Sequence, residues 1–409
     1  MSRNIRKLEM KDLPEIWRIA NLSYPPYGDK KAKREKYLCR ALSERTSGEF
    51  YGCFEAEEMV GFLELYDFRM NLRGCQIQVG GVGFIAVDIF HKRQGVAGEM
   101  LAFCERYFRE RQIPVLVLYP YSIRFYHKRG FCCATRMYQY RILPDMFPYA
   151  GPPKHVRMLG QDDRKKLTDC FAAYFANTNG MLMKRSVDID ALLEDTLIAA
   201  YERDGVVEGY AAYRYEKVDP NCVHMDNMVV SEWVWNSREA FLELCSFFHA
   251  QSDQITRVIL NTPEENLYLS LLDPANGLNG AFQNETHEMY VAAADSMYKV
   301  LDAKNLFAQI GAVNFNGANL RLWLTLLGPD GSEELGLKVE DGTARISEEG
   351  PWDAMLRMPG DVFTAMVTGA ADFAELHALG LAEIDRADQI MEVSKLFAYP
   401  RRPKTITYF

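Results

Sequence analysis

The chain has 409 residues, with 47 Lys and Arg against 56 Asp and Glu, for a formal net charge of −9. Hydrophobic residues make up 48% and charged residues 25%, which excludes extended disorder, and the length suits two or three domains. The acidic balance excludes the basic footprint that broad nucleic-acid or anionic-membrane binding requires, and no apolar run approaches the roughly 20 residues of a membrane helix.

The opening Met-Ser-Arg-Asn-Ile-Arg-Lys lacks the apolar core of a signal peptide. Nine scattered cysteines include no Cys-x-x-Cys pair, and the seven histidines do not cluster with them. The expectation is a cytoplasmic protein with reduced thiols, no metal, and neither nucleic acid nor membrane as partner.

In chain order, residues 5–8 predict a strand, and Asp12-Leu13-Pro14-Glu15 a helix start with proline in the first turn. Residues 30–40 are basic and predict an exposed helix. Residues 50–54 and 60–66 alternate as an antiparallel hairpin, and residues 77–87 form a glycine-interrupted strand. Val96, Met100, Leu101, Cys104 and Phe108 make a helical stripe. A short apolar strand follows at residues 115–119, then a short helix at 123–128 ending at Gly130. Residues 154–288 repeat this plan: a strand at 154–159, a helix from about 161, a hairpin strand at 205–213, a strand at 223–230, a helix at 237–248 and an apolar strand at 258–260. That is the pattern of a duplicated module. Beyond Met289 come a strand at 297–302, a helix at 303–310, strands at 320–327 and 334–339 around Pro329-Asp330-Gly331, helices at 361–367, 372–379 and 386–397, and a β-capable end at 406–409.

Gly81-Val82-Gly83-Phe84-Ile85-Ala86 matches a dinucleotide-binding spacing, but the strand continues through Val87 where a phosphate-binding helix would start, so that reading is rejected. The chemistry lies just beyond. Strand residues Ile85, Ala86 and Val87 lead into a basic turn, Lys92-Arg93-Gln94, and a helix opening Gly95-Val96-Ala97-Gly98. Amides at a helix N-terminus lack intrahelical partners and sit at its positive end, glycine admits a phosphate, and Lys92 and Arg93 add charge. The second block's counterpart, Glu232-Trp233-Val234-Trp235-Asn236-Ser237, has no glycine and no basic residue, so no phosphate-bearing cofactor is expected there.

Lys92-Arg93-Gln94-Gly95-Val96-Ala97 resembles motif A of the GNAT N-acetyltransferases, Arg/Gln-x-x-Gly-x-Gly/Ala, with lysine in the first place. Tyr126-His127-Lys128-Arg129-Gly130-Phe131 resembles the Tyr-x-x-x-Gly-Phe that follows the family's cofactor strand. Val87-x-x-x-His91-Lys-Arg-x-Gly95-Val96, the decayed second unit, the opening at Met297 and the ending through Arg402-Pro403 to Phe409 resemble the Eis (enhanced intracellular survival) acetyltransferases over the whole chain. The resemblance implies an α/β (α+β) fold of tandem GNAT domains, residues 1–148 and a degenerate 149–288, then a sterol-carrier-like domain at 289–409. It implies acetyl-CoA as cosubstrate, held by Ile85, Ala86, Val87, Lys92, Arg93, Gln94, Gly95, Val96, Ala97, Gly98, Tyr121 and Ser122. It also implies Tyr126 as general acid, the α-carboxylate of Phe409 as general base, and a homohexamer. An anionic acceptor suits an amine that arrives as ammonium, and a tyrosine with a pKa near 10 stays protonated to serve a departing thiolate. Glu64 is a rival base. The expected activity is direct transfer of acetyl to primary amines of cationic small molecules such as aminoglycosides or polyamines. The alternatives are acetylation of protein lysines and, in another class, a non-catalytic small-molecule- or lipid-binding protein on degenerate GNAT units.

Overall fold

Two alternating strand patterns and their crossover helices recur along the chain, and the computed structural model resolves them into two units. It describes residues 3–25, 30–44, 48–221, 225–277, 285–329 and 331–409; Val223 and Asp330, read above as strand and turn, lie outside these. One unit comprises Met1–Ala134, Ser296–Arg402 and Phe409; the other comprises Thr135–Asp295 and Pro403–Tyr408.

In the first unit a seven-stranded sheet runs in the order Arg3–Lys7, Glu49–Glu55, Glu58–Leu72, Cys75–Val87, Val115–Leu118, Met297–Val300, Cys132–Cys133. The helix Val96–Glu110 buries Val96, Met100, Leu101, Cys104 and Phe108 on one face, each contributing roughly 1.5–3 kcal/mol where a large side chain leaves water. Gly80 permits this packing, because a Cβ there would lie 2.7 Å from the Phe108 ring. The same unit holds a five-stranded sheet, in which Leu320–Gly328 pairs antiparallel with Gly331–Glu340 and parallel with Ala354–Pro359. Leu320, Leu322, Leu324 and Leu326 alternate into its core.

The strand at Met297 has a different partner from the one its position suggests. Met297–Val300 joins the first sheet, with Met297 opposite Leu118 and Val300 opposite Val115. Met297 and Tyr298 are fully buried there. Conversely, Arg136–Ile142, not anticipated as a strand, lies in the second unit's sheet opposite Ile255–Thr262 and buries Tyr138, Tyr140 and Ile142. The basic stretch is a helix, Lys30–Glu44, but one side of it is not solvated: Leu38 and Ala41 are core residues.

The second unit's sheet runs Val291–Ala294, Arg136–Ile142, Ile255–Thr262, Asp226–Trp235, Val206–Lys217, Leu197–Arg203, Val156–Leu159. Helices Arg164–Asn177 and Arg238–His249 occupy the places that the repeated pattern predicts. Among the described residues no helix is long and apolar enough to cross a membrane.

Candidate active site

The first unit's central strands part. Cys75–Val87 and Val115–Leu118 pair in parallel only at Gly80–Leu116 and Gly81–Val117. Beyond that point Cys75–Val87 continues alone on this edge, its pairing with Glu58–Leu72 interrupted by a bulge between Phe62 and Glu64, and Phe84 takes φ +45°. A bulge re-aims the backbone of the strand that carries it. The hydroxyl of Tyr24 donates to the Ile85 carbonyl at 2.5 Å and that of Ser23 to the Val87 carbonyl at 2.9 Å, so the end of the first helix fixes the freed strand.

The strand then enters a turn held by Asp88. Its fully buried carboxylate accepts from the Phe90 amide at 2.9 Å and from the Arg18 guanidinium at 2.5 Å. Burial pushes this carboxyl up, but the Phe90 amide, Arg18 and His91 outweigh it and hold the pKa below the ordinary value. Arg93 at φ +63° and Gly95 at φ +86° turn the chain into the helix Val96–Glu110. The amides of Val96, Ala97 and Gly98 have no helical acceptor, since the first helical bond runs from Glu99 to the Gly95 carbonyl.

A cavity of about 540 Å³ opens over this helix start. Ile85, Val87, Lys92, Arg93, Gly95, Val96, Ala97 and Gly98 line it, and so do Tyr121, Ser122 and Tyr126 from the far side. Two residues of the expected set lie elsewhere. Ala86 packs into the core beside Phe62 and Ile16, because alternation turns it to the opposite face. The Gln94 side chain folds back to donate to the Phe90 carbonyl. The cavity also takes Ser23, Tyr24, His91, Phe125 and Arg129, which were not anticipated as cofactor residues. Arg129 lies over the Phe125 ring, 3.8 Å from its centroid, with Nη2 close above Gly98. The Tyr-x-x-x-Gly-Phe motif contains it, but spacing alone gave no reason to count its charge with Lys92 and Arg93. Three cations and a helix N-terminus around a cavity of this size fit a pyrophosphate group.

Tyr126 is buried, and burial pushes its hydroxyl pKa well above the usual tyrosine value, with Arg129 opposing. It is therefore a proton donor throughout the neutral range. Phe409 packs among aromatic rings of the same unit. Its ring lies 5.0 Å from Tyr66, 4.8 Å from Phe68 and 5.3 Å from Tyr119. Gly83 makes the space, since a Cβ there would fall 2.8 Å from Tyr66 and 3.5 Å from Phe409. Tyr119 lies just past the end of the strand Val115–Leu118. Glu64 is fully buried and accepts the Tyr37 hydroxyl at 2.6–2.7 Å, while the Tyr37 and Tyr66 hydroxyls are 3.0 Å apart. Burial and Glu64 together hold the Tyr66 hydroxyl protonated.

The second unit's equivalent turn is closed. Ser237 accepts the Ala240 amide at 3.2 Å and donates to Glu208, which brings a carboxylate to this helix start. Trp233 stacks on Phe241, with centroids 5.3 Å apart and planes 12° apart.

Residues 4–134 match the acetyltransferase (GNAT) domain, and residues 181–293 match a second acetyltransferase (GNAT) domain. No curated protein sequence matches the chain significantly. Among solved structures, a GCN5-related N-acetyltransferase from Anabaena variabilis aligns with TM-score 0.83 at 15% identity, covering 100% of both chains. A conserved protein from Enterococcus faecalis, described as a probable N-acyltransferase, aligns with TM-score 0.82 at 15% identity over 100% of both chains. Eis1 from Mycobacterium abscessus aligns with TM-score 0.77 at 16% identity, again over 100% of both. At such identities these structures establish a shared fold, and the two matched domains establish the chemistry. The chain carries two GNAT acetyltransferase domains and is an acetyl-CoA-dependent N-acetyltransferase, Eis-like in fold.

Proposed function

We propose that this enzyme transfers acetyl to primary amines of cationic small molecules, by direct attack within a ternary complex. The Phe409 α-carboxylate removes a proton from the attacking amine, and the Tyr126 hydroxyl donates one to the departing sulfur as the N–C bond forms and the C–S bond breaks. An α-carboxyl ionises near pH 3.3–3.7 and carries its charge at neutral pH. That charge attracts an ammonium and then takes its proton. Lys92, Arg93, Arg129 and the amides of Val96, Ala97 and Gly98 hold the phosphates. The freed strand from Phe84 to Val87 carries the backbone that faces the reacting carbonyl. The domain built on the five-stranded sheet, sterol-carrier-like in this reading, serves to deliver Phe409, and the assembly is a hexamer.

One observation carries this reading: the Phe409 ring packs against Tyr119, just past the short strand that parts from Cys75–Val87. Extending the chain beyond Phe409 tests it. Turnover should vanish while acetyl-CoA still binds with unchanged Kd by calorimetry; full turnover in the extended protein refutes the base assignment. A turnover screen across aminoglycosides, polyamines and lysine peptides tests the acceptor class, and light scattering tests the hexamer.

A further inference from the structure

The second GNAT domain keeps the parted strands of the fold. Asp226–Trp235 and Ile255–Thr262 pair in parallel from Asp226–Ile255 to Val230–Leu260. Asn261 and Thr262 then pair with Gln139 and Tyr138 on the other side, leaving Ser231 to Trp235 without a partner on this edge. In a cofactor-binding copy this wedge would take a ligand. Here the end of the chain reaches both arms of it. Lys404 pairs with Glu264, two residues past the end of one arm, and the Ile406 carbonyl accepts Lys184 Nζ at 3.2 Å. That same Nζ pairs at 2.6 Å with Glu232 on the other arm.

Several features mark this as a built groove. Lys184 and Glu232 are only 4% and 7% exposed, and Tyr210 donates to the second Glu232 oxygen at 2.9 Å. The Lys404 amide donates to the Asn179 carbonyl at 2.8 Å, and the Thr407 hydroxyl to the Leu182 carbonyl at 2.7 Å. Gly180, at φ +80°, lets the tail pass close, since a Cβ there would lie 2.5 Å from Pro403. Thr405, Ile406 and Thr407 are buried, and Ile406 belongs to the unit's core. A buried lysine and carboxylate are costly unless paired and used, and here the pair's free donor capacity is spent on a tail carbonyl.

We propose that Pro403–Tyr408 is the resident ligand of the second GNAT domain, and that Lys184 and Glu232 are positioning residues that lock it so that Phe409 is held one peptide bond beyond. The tail replaces a cofactor in this wedge, while Ser237 and Glu208 close the phosphate end. Only the predicted effect on turnover rests on the terminal-carboxylate reading; the lock itself does not.

Carboxypeptidase release of Phe409, followed by mass spectrometry of the full-length enzyme, reads the lock directly. Glu232→Gln weakens the Lys184 pair. Thr407→Val keeps the volume, removes one hydrogen bond and is the variant least able to disturb folding; Thr407→Ser restores that bond. Release should accelerate about five- to tenfold in Thr407→Val, the factor one hydrogen bond shifts an opening equilibrium. It should accelerate more in Glu232→Gln and return toward the parent rate in Thr407→Ser. Turnover number should fall with release, and the acetyl-CoA Kd should stay within about twofold, since its site lies on Val96–Glu110. Unchanged release in Thr407→Val and Glu232→Gln overturns the lock. Faster release with undiminished turnover keeps the lock and overturns the terminal base instead.

Discussion

Gly98→Ala separates folding from cofactor affinity, because what a methyl group meets there is the end of a flexible side chain. The added Cβ would lie 2.7 Å from Arg129 Nη2, closer than atoms can pack, so the guanidinium must swing away. Its movement gives up the stack on Phe125, worth about 0.5–1 kcal/mol, and the hydrogen bond to the Phe125 carbonyl, worth about 1 kcal/mol. Alanine returns about 1 kcal/mol over glycine within a helix, so urea unfolding should show a net loss of about 0.5–1 kcal/mol. Binding responds differently. With Arg129 displaced, the phosphate side of the cavity loses one of three cations and one charge-assisted hydrogen bond of about 1.5–3 kcal/mol. Acetyl-CoA Kd should rise roughly 10- to 100-fold by calorimetry. Arg129→Ala should give a similar rise, and the double variant little more, since both act through one contact. A Kd unchanged in Gly98→Ala, or two effects that add, refutes the role of Arg129.

Tyr126→Phe should lower turnover about 100-fold or more, in the range for a positioned proton donor, with acetyl-CoA Kd unchanged. Because burial holds this hydroxyl above its usual pKa, the acid form persists as pH rises, and the parent enzyme should show no alkaline loss of turnover from Tyr126 below about pH 10. Asp88→Asn should destabilise by about 1–3 kcal/mol at pH 7 by urea titration. The folded carboxyl lies below its unfolded value, so its contribution is present above about pH 4 and is lost as pH falls through the folded pKa; the gap between parent and variant should therefore close in acid, and a gap that widens refutes the assignment. Calorimetry should find one acetyl-CoA per chain; two would refute the closed state of the second domain's helix start.

Much of this fold was legible because alternation and helical stripes report which face of an element is buried. They do not report what the face packs against. Met297–Val300 reads as a strand from its residues, yet its partner is Val115–Leu118, some 180 residues earlier, and no local pattern encodes that choice. The same limit hid Arg129, whose place beside Gly98 depends on where the short helix Ile123–His127 ends. The glycines at 81 and 83 do not form a dinucleotide turn, and the rings that require them, Phe68 and Tyr66, come from another strand. Glu64 stood out as a carboxylate on a strand. Its engagement with the Tyr37 hydroxyl needed the basic helix to fold back over it. The motif loop was the most legible part, because local backbone conformation makes most of that site, with Gly95 at φ +86° and the amides that follow.

The two GNAT domains differ most plainly at the helix start beside the parted strands. Both keep a parallel pair that parts and a helix that starts beside the gap. In the first domain Gly95 leaves the helix start open and Lys92, Arg93 and Arg129 surround it with positive charge. In the second, Ser237 satisfies an amide at the start of the corresponding helix and brings Glu208 beside it. The lock proposed above acts on residues 403–408, so inserting a residue between Tyr408 and Phe409 should leave the contacts of Ile406 and Thr407 intact.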